Sequence, residues 1–252
     1  MMGWRQMEDM IQIGRVAMNA HIFAAIVAYG VSFVIISMIV RKLHITKEAT
    51  LKDVYVNAGL WFFFTWKFGA VITEPSLIWK DPMKLIVISG SVTEVIFGLV
   101  AACAYIGITL FRQRIALKLF LDISAVGITT FTLTYVLLIR SYGKPTDLPW
   151  GISFEGVQTD YHPVHAYMLI LLIPVCIRLL LILRHMGTGI LWREFLILYG
   201  LAGLLVSLFS YSDVAVILLS WTQWLFVSMI ISGTMNRVGT TDDRAEQLES
   251  HK

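Results

Sequence analysis

Few residues of this 252-residue chain could do chemistry, and the candidates lie in apolar surroundings. Lys67 stands in the run WFFFTWKFG and Glu94 in SGSVTEVIFG. An ammonium placed there can hold a phosphate as a point charge, and a carboxylate can act as a general base. The same residues also have structural uses: a lysine can snorkel to headgroups, and a glutamate can pair with it or close a helix cap. His21, inside another apolar window, reads as a satisfied polar residue rather than a ligand. Asp122 and Arg178, near the ends of theirs, read as structural.

The densest polar stretch runs from Arg140 to Tyr167, RSYGKPTDLPWGISFEGVQTDYHPVHAY. Pro145, Pro149 and Gly151 restrict and turn the backbone, so an ordered loop is expected there. Trp150 and Tyr142 suit a membrane interface. Tyr161-His162-Pro163 opens the next apolar run, where a proline is tolerated in a first helical turn. A rigid loop carrying aromatics and a histidine can serve as a substrate lid; it can equally be a tight connection. The residues that could carry catalysis are therefore Glu94, Lys67 and His162.

The elements that must position these residues are membrane helices. Apolar residues make up 57% of the chain and charged residues 15%, against roughly a quarter charged in soluble domains; the mean hydropathy is +0.74. Windows able to cross about 30 Å of hydrocarbon fall at 16–40, 53–73, 85–111, 115–139, 163–183, 190–210 and 213–233. Alternating sides with the N-terminus out puts twelve Lys and Arg residues on the inner segments and six on the outer. The reading is therefore an all-α integral protein of seven transmembrane helices, N-out and C-in, with the 140–162 loop outside. Residues 1–15 read as an interfacial segment, on which Trp4, Met7, Met10 and Ile11 could share a helical face. Their charges, Arg5, Glu8, Asp9 and Arg15, argue against a cleavable leader. Residues 16–233 form one membrane domain and 234–252 a polar cytoplasmic tail. The net charge of +3 and the lack of a basic stripe argue against nucleic acid. No nucleotide-binding or metal-ligand spacing occurs, so no cofactor and no metal are expected. Cys103 and Cys176, each within an apolar window, read as small core residues.

Tyr142-Gly143-Lys144-Pro145-Thr146-Asp147-Leu148-Pro149-Trp150-Gly151 resembles the Y-G-R-P-T-D-L-P-W-G stretch of bacterial prolipoprotein diacylglyceryl transferases. His162-Pro163-Val164-His165-Ala166-Tyr167 is similar to the H-P-x-x-L-Y-E motif that follows it in that family. Leu219 through Gln223, and Met229 through Gly233, look like its L-S-x-G-Q…M-I-x-x-G close; Tyr199-Gly200 and Asp213 look like landmarks of its sixth span. Asp53 and Lys67 fall where the family has an aspartate and a basic residue. The resemblance covers most of residues 16–233. It implies seven spans in a bacterial plasma membrane, a phosphatidylglycerol-like phospholipid as partner, and lipid contacts at Lys67, Arg140, Tyr142, Asp147, Trp150 and Tyr167. The activity it implies is transfer of a diacylglyceryl group from phosphatidylglycerol to a lipoprotein cysteine.

The departures from that pattern fall on the chemistry. The family's G-R-I-G-N-x-x-N-x-E run is replaced by Phe131 through Arg140: its arginine, both asparagines and its glutamate are gone, and Thr132, Thr134 and Tyr135 offer no cation. Its R-x-x-x-E-x-x-R pattern maps to Gly203, Ser207 and Ser210. A histidine maps to Glu94, and the glutamate that ends H-P-x-x-L-Y-E maps to Met168. The expectation is a catalytically silent relative that binds phospholipid or a lipoprotein, as a subunit of a membrane complex. The alternatives are a transferase with a retuned site, Glu94 as base and Lys67 as phosphate partner, and a channel or transporter.

Overall fold

The computed structural model describes residues 10–13, 16–45, 47–80, 91–154, 156, 158–211 and 219–235. Residues 1–9, the start of the third expected span at 85, the start of the seventh at 213 with Asp213, and the tail from 236 lie outside the described residues. The chain is mostly helical. In order it forms β1 (Met10–Ile13), β2 (Val16–Asn19), α1 (Ala20–Lys42), α2 (Glu48–Phe68), the short α3 (Ala70–Thr73) and α4 (Leu77–Lys80), then α5 (Val92–Gln113) and α6 (Leu117–Leu138). After these come β3 (Pro145–Thr146), β4 (Asp160–Tyr161), α7 (Val164–Leu181), a 3-10 turn at Leu183–His185, α8 (Ile190–Phe209) and α9 (Trp221–Met235).

Five of these helices (α1, α5, α6, α7 and α8) are long and apolar enough to cross a membrane, as expected of an all-α membrane protein. The window expected at 53–73 falls on α2 from Asp53 onward, the turn at Gly69 and α3, and carries Asp53 and Lys67. The described part of the seventh window is the 15-residue α9. Residues 10–19 differ from the helical face read at the N-terminus: Met10–Ile13 and Val16–Asn19 pair as an antiparallel ribbon. Their β-branched Ile11, Ile13 and Val16 favour extended backbone. The first span starts accordingly at Ala20, where the Asn19 side chain accepts from the His21 amide at 2.8 Å, a cap for a helix entering lipid.

The chain divides into two compact units, Ser37–Leu117 and the remainder. In the Ser37–Leu117 unit, α2 and α5 run antiparallel. Lys47 Nζ donates to the carbonyls of Gln113 and Arg114 at the end of α5, satisfying acceptors that the helix cannot reach itself. Further along, a Cβ on Gly98 would stand 2.9 Å from the Phe62 carbonyl, so glycine permits this approach. Leu51, Val54, Ala58 and Ala102 are buried.

In the larger unit α1 crosses α6 through small residues. Ala24, Ala28 and Ser32 are buried at every fourth position, and Ser32 Oγ donates to the Gly127 carbonyl at 2.8 Å. Close backbone approach is what drives helix association where hydrophobic burial cannot. α8 meets α9 in the same way. Gly200 faces the Phe226 carbonyl and Ile230, Gly203 faces the Phe226 ring, and Gly233 faces Ile197. At its start α8 is capped by Asp122, which is fully buried. Its Oδ2 accepts from the amides of Gly187 and Gly189, both at 2.8 Å, and its Oδ1 from that of Trp192 at 2.9 Å. A carboxylate on these otherwise unbonded amides also meets the positive end of the helix dipole.

A side chain at Gly203 would collide with the Phe226 ring, 2.2 Å from an added Cβ. Gly203→Leu is expected to destabilise the α8–α9 pair by about 1–3 kcal/mol through overpacking, and Phe226→Ala to restore part of the loss. Thermal unfolding of the full chain in detergent checks this; an unshifted midpoint for Gly203→Leu would reject the packing.

Candidate functional site

The site is built by the segment between α6 and α7, which folds back on itself. Pro145 pairs with Tyr161 and Thr146 with Asp160. Ile152 and Tyr161 exchange backbone bonds at 3.0 and 3.1 Å, the Gly143 amide donates to the His162 carbonyl at 2.9 Å, and the His162 amide to the Lys144 carbonyl at 3.1 Å. Gly151 closes a turn on the Leu148 carbonyl at 2.9 Å. A Cβ there would meet Asp160 Cβ at 2.7 Å. This ladder and turn make 143–152 a folded hairpin floor, with Asp147 at its exposed edge.

The hairpin is seated on the end of α8. The Lys144 amide donates to the Phe209 carbonyl at 2.8 Å, and Lys144 Nζ to the Leu208 carbonyl at 2.9 Å. The Gly143 backbone comes so close that a Cβ would lie 2.0 Å from the Phe209 carbonyl oxygen. The Phe209 ring packs on both His162 and Tyr167, with centroids 4.8 and 5.4 Å apart.

His162, Tyr167 and Trp150 form one hydrogen-bonded chain at this seat. Trp150 Nε1 donates to Tyr167 Oη at 2.9 Å, and Tyr167 Oη bonds His162 Nδ1 at 2.9 Å. With Nδ1 as acceptor of the tyrosine proton, neutral His162 carries its own proton on Nε2. His162 is buried at 8% exposure, whereas Trp150 is 56% exposed. The chain thus leads from the surface to a buried imidazole. Beside it, Tyr142 meets Phe154 and His165 edge-on, and His165 Nδ1 donates to the Ser141 carbonyl at 2.9 Å. The arrangement leaves His162 Nε2 as a neutral donor for a polar group, beside aromatic surface. Arg140, at the start of the loop, is exposed.

Of the sequence candidates, the structure brings together His162, Tyr167 and Trp150, with Tyr142 on the same hairpin. Glu94 and Lys67 belong to the Ser37–Leu117 unit. Glu94 is buried there and closes a capping box at the start of α5. Its Oε2 accepts from the Ser91 amide at 2.7 Å and from the Ser91 hydroxyl, and its Oε1 from Thr73 Oγ1 at 2.9 Å. Glu94 Cγ also lies 2.6 Å from where a Gly69 Cβ would stand.

Two polar pairs escaped sequence reasoning. His21 Nδ1 bonds Tyr135 Oη at 2.8 Å, joining α1 to α6, and Thr132 Oγ1 bonds Tyr199 Oη at 2.9 Å, joining α6 to α8. The hint available was that Thr132 and Tyr135 are three residues apart, hence neighbours on one helical face. Nothing local indicated their partners. Ser207 and Ser210 bond back to the carbonyls of Leu204 and Val206, at 2.6 and 3.2 Å.

No family model matches the chain. It is similar to the phosphatidylglycerol–prolipoprotein diacylglyceryl transferase of Geobacter sulfurreducens, 30% identical over 125 residues that cover 47% of this chain and 47% of that enzyme. It is also similar to the enzyme of that name from Mesorhizobium japonicum, 33% identical over 104 residues covering 39% of this chain and 36% of the relative. The chain spans less than half the length of these relatives. The two matches support a distant relationship to that enzyme family.

Tyr167→Phe removes the shared hydroxyl, releases the exposed Trp150 N–H to solvent and strands His162 Nδ1. Loop stability is expected to fall by about 1–3 kcal/mol, the cost of an unmet buried polar group. Hydrogen exchange at the amides of Gly143, Ile152 and His162 should accelerate. Unchanged exchange there would show that the chain does not hold the loop.

Proposed function

We propose that this protein binds a phospholipid, phosphatidylglycerol-like, or the lipid-bearing end of a lipoprotein, without transferring the diacylglyceryl group. It would act as a transferase-like subunit of a complex in a bacterial plasma membrane. In this reading it has seven spans, the N-terminus outside, and the 140–162 loop lying over the headgroup. The Trp150–Tyr167–His162 chain leaves His162 Nε2 as a neutral donor toward the headgroup, and the exposed indole suits the interface.

The observation that carries the silent reading is at Gly203. The resemblance puts an arginine of the transferases there, and the space beside it is filled by the Phe226 ring. Other positions where the family pattern is charged or polar are also spent within the chain. Thr132 and Tyr135 bond Tyr199 and His21, while Ser207 and Ser210 bond back to carbonyls of their own helix. Both carboxylate oxygens of Glu94 are engaged by Ser91 and Thr73, which speaks against the retuned alternative with Glu94 as base. A departing glycerol phosphate needs cations in a dry site, and each missing charge-assisted bond costs about 2–4 kcal/mol of transition-state stabilisation.

Purified protein is expected to release no glycerol phosphate from phosphatidylglycerol in the presence of a lipobox peptide, and not to complement loss of the authentic transferase. Turnover comparable to that of the enzymes would overturn the reading. For the topology, a cysteine at Gln158, exposed in the loop, should react with an impermeant maleimide on intact cells. Reaction only after the inner face is opened would reverse the assignment.

A further inference from the structure

The end of the larger unit remote from the loop carries a second polar cluster, which the reading above does not use. Arg178, in the last turn of α7, donates Nε to Glu194 Oε2 at 3.1 Å, and Arg193 donates Nη2 to Glu194 Oε1 at 2.8 Å. One carboxylate therefore serves two guanidiniums. Another carboxylate at this end, Asp122, is spent on three backbone amides. Lys118, whose stem lies against Gly189, and the exposed Arg184 add to the cations. Among the described residues, four basic side chains thus face two acids, both already engaged.

Unmet donors remain. Glu194 takes only Nε of Arg178, which leaves that residue's two terminal amino groups, the fork that fits a pair of phosphate oxygens. The Arg178 side chain is 46% exposed and that of Arg193 33%. Arg193 Nε and His185 Nδ1 are buried without a partner among the described residues, and buried polar atoms are seldom left so. The neighbourhood identifies the source of the phosphate. Ile170, Ile173, Ile177, Leu180 and Leu181 form an exposed apolar stripe on α7, and Arg178 stands three residues before Leu181, hence next to the end of the stripe on the helix surface. A phosphate at Arg178 would have its acyl chains along that stripe, and the surplus of cations favours a net anionic lipid.

We infer that the junction of α7 and α8 is a binding site for the headgroup of an anionic phospholipid, held by Arg178 and Arg193 across Glu194. This inference does not depend on the loop site.

Native mass spectrometry of the full chain, delipidated in detergent and titrated with phosphatidylglycerol, phosphatidylcholine of the same chain length, or glycerol phosphate alone, tests it. Phosphatidylglycerol should be retained in preference to phosphatidylcholine, and the Arg178→Ala, Arg193→Ala double variant should lose about tenfold or more in that preference, near fivefold per arginine. Glu194→Gln, which keeps every cation and removes the competing carboxylate, should raise the preference. Arg112→Ala, which removes an exposed cation near the end of α5 in the other unit, should leave it unchanged. The inference is overturned if the double variant binds like the parent, if Glu194→Gln lowers the preference, or if Arg112→Ala abolishes it. It is overturned also if glycerol phosphate alone competes as well as the lipid, since the site would then serve a soluble phosphate. Should the double variant fail to fold, the Glu194→Gln and Arg112→Ala arms decide.

Discussion

The carbonyls of Leu208 and Phe209 end α8 where no further turn exists to bond them, and Lys144 takes both, one through its amide and one through its ammonium. At the edge of hydrocarbon an unbonded carbonyl is expensive, so this contact fixes where the hairpin must lie. The fit leaves no room for a side chain at Gly143. It also sets the Phe209 ring against His162 and Tyr167. Tyr167 in turn holds Trp150, seventeen residues earlier in the chain. The polar site is thus a consequence of how one helix is terminated.

α8 is consequently the element on which the larger unit depends at three levels. At its start, the buried carboxylate of Asp122 neutralises its first amides and the dipole with them. Along its middle, Gly200 and Gly203 let α9 approach to backbone distance. At its end, it seats the loop. Each contact satisfies or shields backbone that lipid cannot solvate.

The apolar windows made the helices legible in the sequence, because length and hydropathy alone mark a segment able to cross a bilayer. Boundaries were less so: the ribbon at 10–19 takes the start of the first window, and α2 stops at Phe68, one residue before a buried Gly69 pressed on Glu94. The loop was readable as ordered from its prolines and glycines. The role of Glu94 was half legible. The spacing Ser91–Glu94 is that of a capping box, but the contribution of Thr73, from the preceding short helix, depends on how α2 breaks. The pairs His21–Tyr135 and Thr132–Tyr199 were not legible at all. They join helices separated by many residues, and helix periodicity specifies which residues share a face without specifying which helix that face will meet.

The replacements at the positions that carry charge in the resembled enzymes are not independent of one another. An arginine at residue 203 needs the volume that the Phe226 ring occupies, and vacating it would open the α8–α9 contact that Gly200 and Gly233 also build. The hydroxyl of Tyr135 is matched to His21 and that of Thr132 to Tyr199, so a charge introduced at either position strands a partner in a low-dielectric interior. Helix packing and neutral hydrogen bonding have thus taken over the space and the partners that a charged site requires. Restoring one arginine would therefore produce a destabilised helix pair before it produced a phosphate-binding fork. At the loop end the ammonium of Lys144 is likewise engaged, on the carbonyl that terminates α8.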